Sequence, residues 1–126
     1  MGEFNADCLG VNEKKIIEVE IKTSREDLKN DFRKYKHSLY NKTYEEIYRQ
    51  WIPTHFYYCI PEEMIEYCKN CLTVNKYDNY GIISQTGYNV IKRAKPLHSK
   101  EPNTHIKFKL ALRMGSELIR FHEAWL

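Results

Sequence analysis

Alternating apolar and polar residues near the start of the chain predict a strand over residues 15–22. One side of this strand carries Ile17, Val19 and Ile21. The other side carries Glu18, Glu20 and Lys22. A period of two is typical of a strand with one buried face, so we expect the β-branched side chains to lie in the core. Two carboxylates and one ammonium group then line the opposite face.

A second strand is predicted just before it, over the apolar run 4–11, in which Asp7 is the single acidic residue. The polar residues 12–14 between the two runs predict a tight turn, so the two strands should pair as an antiparallel hairpin. That pairing is expected to bring Asp7 close to Glu20.

Two helices are predicted after this hairpin. Ser24 and Asp27 form a capping pattern, and apolar residues then recur at spacings of three and four, which predicts a helix over 25–40. A second capping pattern precedes a short predicted helix over 44–51, which ends before Pro53.

The remaining elements alternate between strands and helices. Aromatic residues in 55–60 predict a buried strand, and Pro61 followed by two acids predicts the start of a helix. Residues 80–84 and 88–92 predict a hairpin, and a closing helix is expected over 104–122. The order ββ-α-α-β-α-ββ-α predicts an α/β fold in which a mixed central β-sheet is flanked by helices.

Composition narrows the class of protein. A chain of 126 residues, with 42% hydrophobic and 29% charged residues, is expected to form a single domain spanning 1–126. Its sequence has no apolar run of about 18 residues and no leader-like start, so we expect a cytoplasmic protein with no membrane association. The net charge of +3 gives only weak support for an acidic partner.

Asp7, Glu20 and Lys22 are residue types that suit phosphodiester hydrolysis. The reaction needs an activated water and neutralisation of the negative charge that develops, and a divalent metal held by carboxylates supplies both. Mg²⁺ or Mn²⁺ prefers oxygen ligands and keeps several waters, so Asp7, Glu20 and the backbone carbonyl of Ile21 would suffice as protein ligands. Lys22 would orient the attacking water or stabilise the phosphate.

This arrangement resembles the PD-(D/E)XK nuclease superfamily, and within it the small MmcB-like and phage-encoded members. The resemblance lies in Asp7, in Glu20-Ile21-Lys22 and in the turn 23–27 that opens a helix. It continues in the aromatic strand, which ends in a proline, and in the hairpin that follows residue 80. The resemblance implies a restriction-endonuclease-like core, hydrolysis of DNA phosphodiester bonds with Mg²⁺ or Mn²⁺, and a role in DNA repair or phage DNA processing.

Two departures from the family pattern are visible. Family cores usually begin with a helix before the strand that bears the aspartate, whereas this sequence begins almost on that strand, so the first core helix is expected to be absent. Ala6 also stands before Asp7, where the family motif has proline. The departures keep a second function open, a catalytically inactive nuclease-fold module that binds DNA or a protein partner.

Other polar residues each have two interpretations. Polar and basic residues at the first predicted helix could contact nucleic-acid phosphates, with an ordinary solvated helix face as the alternative. They are Ser24, Arg33, Lys36 and His37. Glu18 shares a face with Glu20 but fits no position of the motif, so it is interpreted as a bystander. The sequence leaves open whether the substrate is DNA or RNA. It also leaves open whether the protein is a monomer or a homodimer.

The four cysteines are expected to be reduced thiols. Cys68 and Cys71 are spaced as CxxC, which can hold a metal, and the same spacing suits the inner face of a helix. Cys8 and Cys59 fall in apolar strands. We therefore expect these side chains in the core rather than around an ion.

Overall fold

The computed structural model describes residues 7–11, 14–41, 52–99 and 118–119. Within these ranges, six strands form one sheet. In chain order they are β1 (Cys8–Val11), β2 (Ile16–Ile21), β3 (His55–Ile60), β4 (Gly81–Ser84), β5 (Val90–Lys92) and β6 (Leu118–Ile119). The order across the sheet is β5-β4-β3-β2-β1-β6.

The sheet is mixed. β1 and β2 pair antiparallel, with Cys8 opposite Val19, which confirms the predicted hairpin. The three central strands β2, β3 and β4 are parallel, whereas β5 pairs antiparallel with β4 across a register shift. Parallel strands need crossover connections, and the described helices lie in these connections. The chain therefore has the α/β architecture that the alternation of elements predicts.

Three helices and one 3₁₀ turn are described. They are α1 (Arg25–Asp31), α2 (Tyr35–Tyr40), the turn Glu62–Met64 and α3 (Ile65–Val74). Leu28 of α1, Tyr40 of α2 and Leu72 of α3 belong to one buried cluster with the aromatic side chains of β3. All three helices therefore cover the same face of the sheet. None of the described helices has the length and apolar character needed to cross a bilayer.

The two faces of the sheet differ in content. The face beneath the helices holds large aromatic side chains, among them Phe56, Tyr58 and Tyr80. The opposite face carries a smaller cluster that includes Ile17, Val19 and Tyr57. Alternation along each strand explains this division, because successive side chains point to opposite faces.

The predicted helix over 25–40 is wrong in its continuity. Residues 32–34 form a turn between α1 and α2, in which the N–H of Lys34 donates to the carbonyl of Asp31 at 3.0 Å. In one continuous helix, Asp31 and His37 would lie about 120° apart around the axis, at 3.6 residues per turn. The break allows both side chains to be buried and to meet at 2.8 Å.

The predicted closing helix is wrong at its described residues. Leu118 and Ile119 form β6, which pairs parallel with Leu9 and Gly10 at the β1 edge of the sheet. An edge strand presents unpaired backbone groups, and pairing with β6 satisfies some of them, which outweighs the helical spacing of the apolar residues. The rest of that prediction and the predicted helix over 44–51 lie outside the described residues.

The expected burial of β2 is also partly wrong. Ile21 was expected in the core, yet 49% of it is exposed. Glu18 and Glu20, on the side expected to face outward, are buried. The reason is that Lys36 and Tyr40 of α2 lie over Glu18 and Glu20, while Ile21 is the last residue of the strand. The acidic residues of the predicted site therefore lie beneath a layer of helices.

Candidate functional site

The predicted acidic pair lies where β1 begins and β2 ends. Asp7 directly precedes β1, and its Oδ2 accepts a hydrogen bond from the N–H of Ile21 at 2.9 Å. Antiparallel pairing places the start of one strand beside the end of the next, which is why residues 14 positions apart in sequence meet here. Asp7 is exposed, so its carboxylate faces solvent at the mouth of the site.

Glu20 lies behind Asp7 and is buried. Burial raises the pKa of Glu20 to about 7, Lys36 opposes this rise, and a hydrogen bond with Asp7 and the charge of Glu18 add to it. Two carboxyl groups in contact disfavour a second negative charge, so a proton or a cation is favoured between them. Near neutral pH, Glu20 is thus divided between its neutral and ionised forms.

Lys22 follows on the same face of the strand. Its Nζ is 3.9 Å from Oε2 of Glu20 and 3.3 Å from Oδ1 of Asp31, and the side chain is 16% exposed. The structure therefore brings Asp7, Glu20 and Lys22 together at one end of the hairpin, with an ammonium group inside the site and an exposed carboxylate at its edge.

The backbone carbonyl of Ile21 is directed toward Asp7. The N–H of Lys22 donates to the carbonyl of Cys59 on β3 at 3.1 Å. The carbonyl of Ile21 belongs to the same peptide unit and points the opposite way, toward the neighbouring strand β1. The N–H and carbonyl of one strand residue project to the same edge. Because that N–H reaches Asp7, the carbonyl of Ile21 is on the Asp7 side as well.

A second ammonium group lies between the acids. Nζ of Lys36, on α2, is 2.7 Å from Oε2 of Glu18 and also contacts Oε1 of Glu20. It lies 5.3 Å from the centre of the Phe56 ring. Burial opposes the charge of Lys36, but the two glutamates raise its pKa above the ordinary value. Lys36 thus remains a cation inside the site.

Glu18 is part of this cluster and not a solvated bystander. Its Oε1 accepts a hydrogen bond from the hydroxyl of Tyr40 at 2.5 Å, and its Oε2 meets Lys36. Lys36 and Tyr40 are four residues apart on α2, so they share one helix face. This spacing, together with the alternation of Glu18 and Glu20, is the sequence signal that could have identified the cluster.

Asp31 is a further buried acid that the sequence interpretation missed. Its Oδ2 accepts hydrogen bonds from Nε2 of His37 at 2.8 Å and from the hydroxyl of Tyr58 at 2.6 Å. Nδ1 of His37 lies 2.7 Å from the hydroxyl oxygen of Tyr80. Burial raises the pKa of Asp31, but hydrogen bonds from His37, Lys34 and Tyr58 outweigh burial and hold it well below its usual range.

The predicted nucleic-acid contacts are separated by the structure. Arg33 is exposed and lines a cavity of about 450 Å³ beside α1, and the exposed Ser24 caps α1 by accepting the N–H of Asp27 at 3.1 Å. Lys36 is held by the two glutamates. The predicted contact of His37 with a phosphate is wrong, because the residue is fully buried and no part of its ring is accessible to a ligand.

The donor atoms at the hairpin end suit a hard divalent cation. Asp7 and Glu20 offer carboxylate oxygens and Ile21 offers a carbonyl, which fits an ion that retains several waters. No group of three or more His, Cys, Asp or Glu side chains placed to hold a metal occurs in the part of the chain that the structure describes. A cation at Glu20 would therefore have two side-chain ligands and would compete with Lys36.

Comparisons with known proteins leave the function to be inferred from this site. No family model matches the chain, and neither a curated protein nor a solved structure matches it.

Proposed function

We propose that this chain is a divalent-metal-dependent nuclease with a restriction-endonuclease-like core of the PD-(D/E)XK type, which hydrolyses DNA phosphodiester bonds. One observation supports the proposal above all others. An exposed aspartate, a buried glutamate and a lysine ammonium converge at one end of a hairpin, as Asp7, Glu20 and Lys22 do.

Each residue has a role in the proposed reaction. Asp7, Glu20 and the carbonyl of Ile21 would hold Mg²⁺ or Mn²⁺, and the ion would supply an activated water and charge neutralisation at the phosphate. The ammonium of Lys22 lies beside Glu20 and is only slightly exposed. In such a site it would donate hydrogen bonds to a phosphate oxygen or to the attacking water, where low exposure to solvent strengthens its effect.

The cations around Glu20 favour the ionised form that a metal ligand requires. Lys36 lowers the pKa of Glu20, whereas burial, Asp7 and Glu18 raise it. The contact between Asp7 and Glu20 raises the pKa of Glu20. A divalent ion bound between the two carboxylates would lower that pKa instead, because both acids would then interact with a positive charge. We therefore expect proton release when the metal binds.

A second candidate function is a catalytically inactive nuclease-fold module that binds DNA or a protein partner. The observation that favours it is the placement of Lys36, whose ammonium contacts both Glu18 and Glu20. This internal cation is already paired with both buried acids. If it cannot move, Glu20 is not free to bind an ion.

DNA is the proposed substrate, with RNA as the alternative. A role in DNA repair or phage DNA processing, a cytoplasmic location and a homodimer belong to the same proposal. The exposed cations Arg25, Lys29 and Arg33 line one cavity beside α1, and they offer charge for a polyanionic strand.

A cleavage assay tests the proposal. Plasmid DNA, single-stranded DNA and RNA are incubated with the protein and Mg²⁺ or Mn²⁺. Glu20→Gln and Lys22→Met should each lower the cleavage rate by about 100- to 1000-fold. Glu66→Gln and Lys69→Met alter an exposed acid and an exposed base on α3, and they should leave the rate unchanged. Equal rates in all five proteins would disprove the nuclease function.

Calorimetric titration with Mn²⁺ separates the two candidate functions. The nuclease should bind Mn²⁺, and Asp7→Asn should abolish that binding while the protein stays folded. The inactive module should show no Mn²⁺ binding and yet retain salt-dependent affinity for DNA.

A further inference from the structure

The ammonium of Lys22 has a nearer anionic neighbour than Glu20. Oδ1 of Asp31 is 3.3 Å from Nζ of Lys22, compared with 3.9 Å for Oε2 of Glu20. Lys22 therefore lies between two carboxylates, one from its own strand and one from the end of α1. A lysine side chain has several rotatable bonds, and contact with Glu20 alone would restrict it weakly.

The side chain of Asp31 is itself held firmly. It is fully buried, and its Oδ2 accepts hydrogen bonds from two fully buried groups, the ring of His37 and the hydroxyl of Tyr58. Burial together with the charge and the hydrogen bond of Asp31 raises the pKa of the Tyr58 hydroxyl, so this hydroxyl remains a donor. One oxygen of the carboxylate is thereby fixed to the core of the protein.

The other oxygen faces the two ammonium groups. Oδ1 lies 3.3 Å from Lys22 and 2.7 Å from Nζ of Lys34. These two ammonium groups compensate the negative charge at Oδ1. The lysines differ in surroundings, because the side chain of Lys34 is 48% exposed and that of Lys22 is 16% exposed.

We propose that Asp31 is a positioning residue. Its carboxylate is held in place by the hydrogen bonds from His37 and Tyr58, and it in turn holds the ammonium of Lys22 beside Glu20. This role in catalysis rests on the proposed nuclease function. Asp31 does not touch the substrate. It determines where the charge of Lys22 stands when a phosphate arrives, and a displacement of about 1 Å in such a group can cost about 100-fold in rate.

The first test measures the mobility of lysine side chains by NMR relaxation of their ε-methylene groups, in the full chain without metal or DNA. Lys22→Met assigns the Lys22 signal. In the wild type, Lys22 should be far more restricted than the exposed Lys29. Asp31→Asn should release Lys22, and Lys34→Met, which removes the other cation from the same oxygen, should not. A wild-type Lys22 as mobile as Lys29 would overturn the inference, whether or not Asp31→Asn folds.

The second test measures kinetics. Asp31→Asn should lower kcat by about 10- to 100-fold and leave KM for DNA and the affinity for Mn²⁺ unchanged. Leu28→Val, a buried change on the same helix, is the control for lost stability. If Leu28→Val has the same Tm as Asp31→Asn and lowers kcat by the same factor, Asp31 has only a structural role and the inference fails. A wild type that cleaves nothing removes the proposed function instead, while the mobility of Lys22 still decides whether Asp31 holds it.

Discussion

The two sides of β2 illustrate how one strand can serve two purposes. On one side, Ile17 and Val19 lie in a small apolar cluster with Tyr57. On the other side, Glu18 and Glu20 are equally buried but are paired with the ammonium of Lys36. The backbone and the burial are similar, so the difference is electrostatic. The apolar side gains from removal of water, whereas the charged side depends on exact pairing.

Burial alone does not distinguish a hydrophobic core from a functional site. Removing two carboxylates from water costs several kcal/mol for each ion before pairing, and hydrophobic residues of similar volume are often as stable as an ion pair or more so. The charged side therefore has no clear advantage for folding alone. The proposed metal site at the end of the hairpin, where Asp7 and Lys22 join Glu20, would account for its composition.

Loss of the cation on the charged side should have the largest effect on stability. Lys36→Met would leave Glu18 and Glu20 buried without their shared ammonium, so the free energy of unfolding should fall by about 3–5 kcal/mol, measured by urea denaturation. Lys29→Met, at an exposed site on α1, is the matched control. Adding Glu18→Gln to Lys36→Met should recover part of the loss. If Lys36→Met is as stable as the control, the two sides of β2 do not differ as described.

A cavity on the apolar side should cost somewhat less and should behave differently. Ile17→Ala removes a buried side chain and should lower the free energy of unfolding by about 2–4 kcal/mol. Because no charge is involved, this loss should be the same in low and high salt. For the proposed nuclease, the rate of DNA cleavage per folded molecule should not change. A strong salt dependence would show that the two faces are coupled.

The hydroxyl of Tyr40 should contribute less. Tyr40→Phe removes a hydrogen bond of 2.5 Å to Oε1 of Glu18, and the expected loss is about 1–2 kcal/mol in thermal or urea unfolding. Tyr35→Phe changes an exposed tyrosine on the same helix and should be neutral. Equal stability of the two variants would mean that Glu18 does not need this donor.

The dependence of stability on pH should be the smallest effect. Because the pKa of Glu20 is raised from 4.5 to about 7, the folded state binds this proton more tightly than the unfolded chain. The stabilisation is complete below pH 4.5 and is lost as the pH rises through 7. Between pH 6 and pH 8 the wild type should therefore lose about 1 kcal/mol relative to Glu20→Gln, measured as the difference in Tm between the two proteins. A constant difference would place Glu20 in a solvated setting.

The hairpin and the central strands were predictable because their signals are local. Alternation in 15–22 and the polar turn before it were enough to predict the pairing of β1 with β2. The break at 32–34 was not predictable, because apolar spacing continues across it. A contact between Asp31 and His37 in the folded state favours that break.

The conformation of β6 was also not predictable from the sequence, because a helix was predicted where the structure has a strand. Leu118 fits a helical spacing, and only pairing with the edge of β1 explains the strand conformation of Leu118 and Ile119. Nothing near them in sequence indicates that edge, because its strand lies more than 100 positions earlier. Local patterns cannot contain information about a partner so distant along the chain.

The sequence by itself determined the strands of the hairpin, the acids and the base that they carry, and the side of β2 on which Glu18, Glu20 and Lys22 stand. These follow from backbone geometry, which repeats every two residues in a strand. Only the tertiary structure decided that this side is covered by helices, that Lys36 pairs with its acids and that Asp31 meets Lys22. The reason is that burial and charge pairing depend on which distant segments come together, and folding brings α1 and α2 over β2.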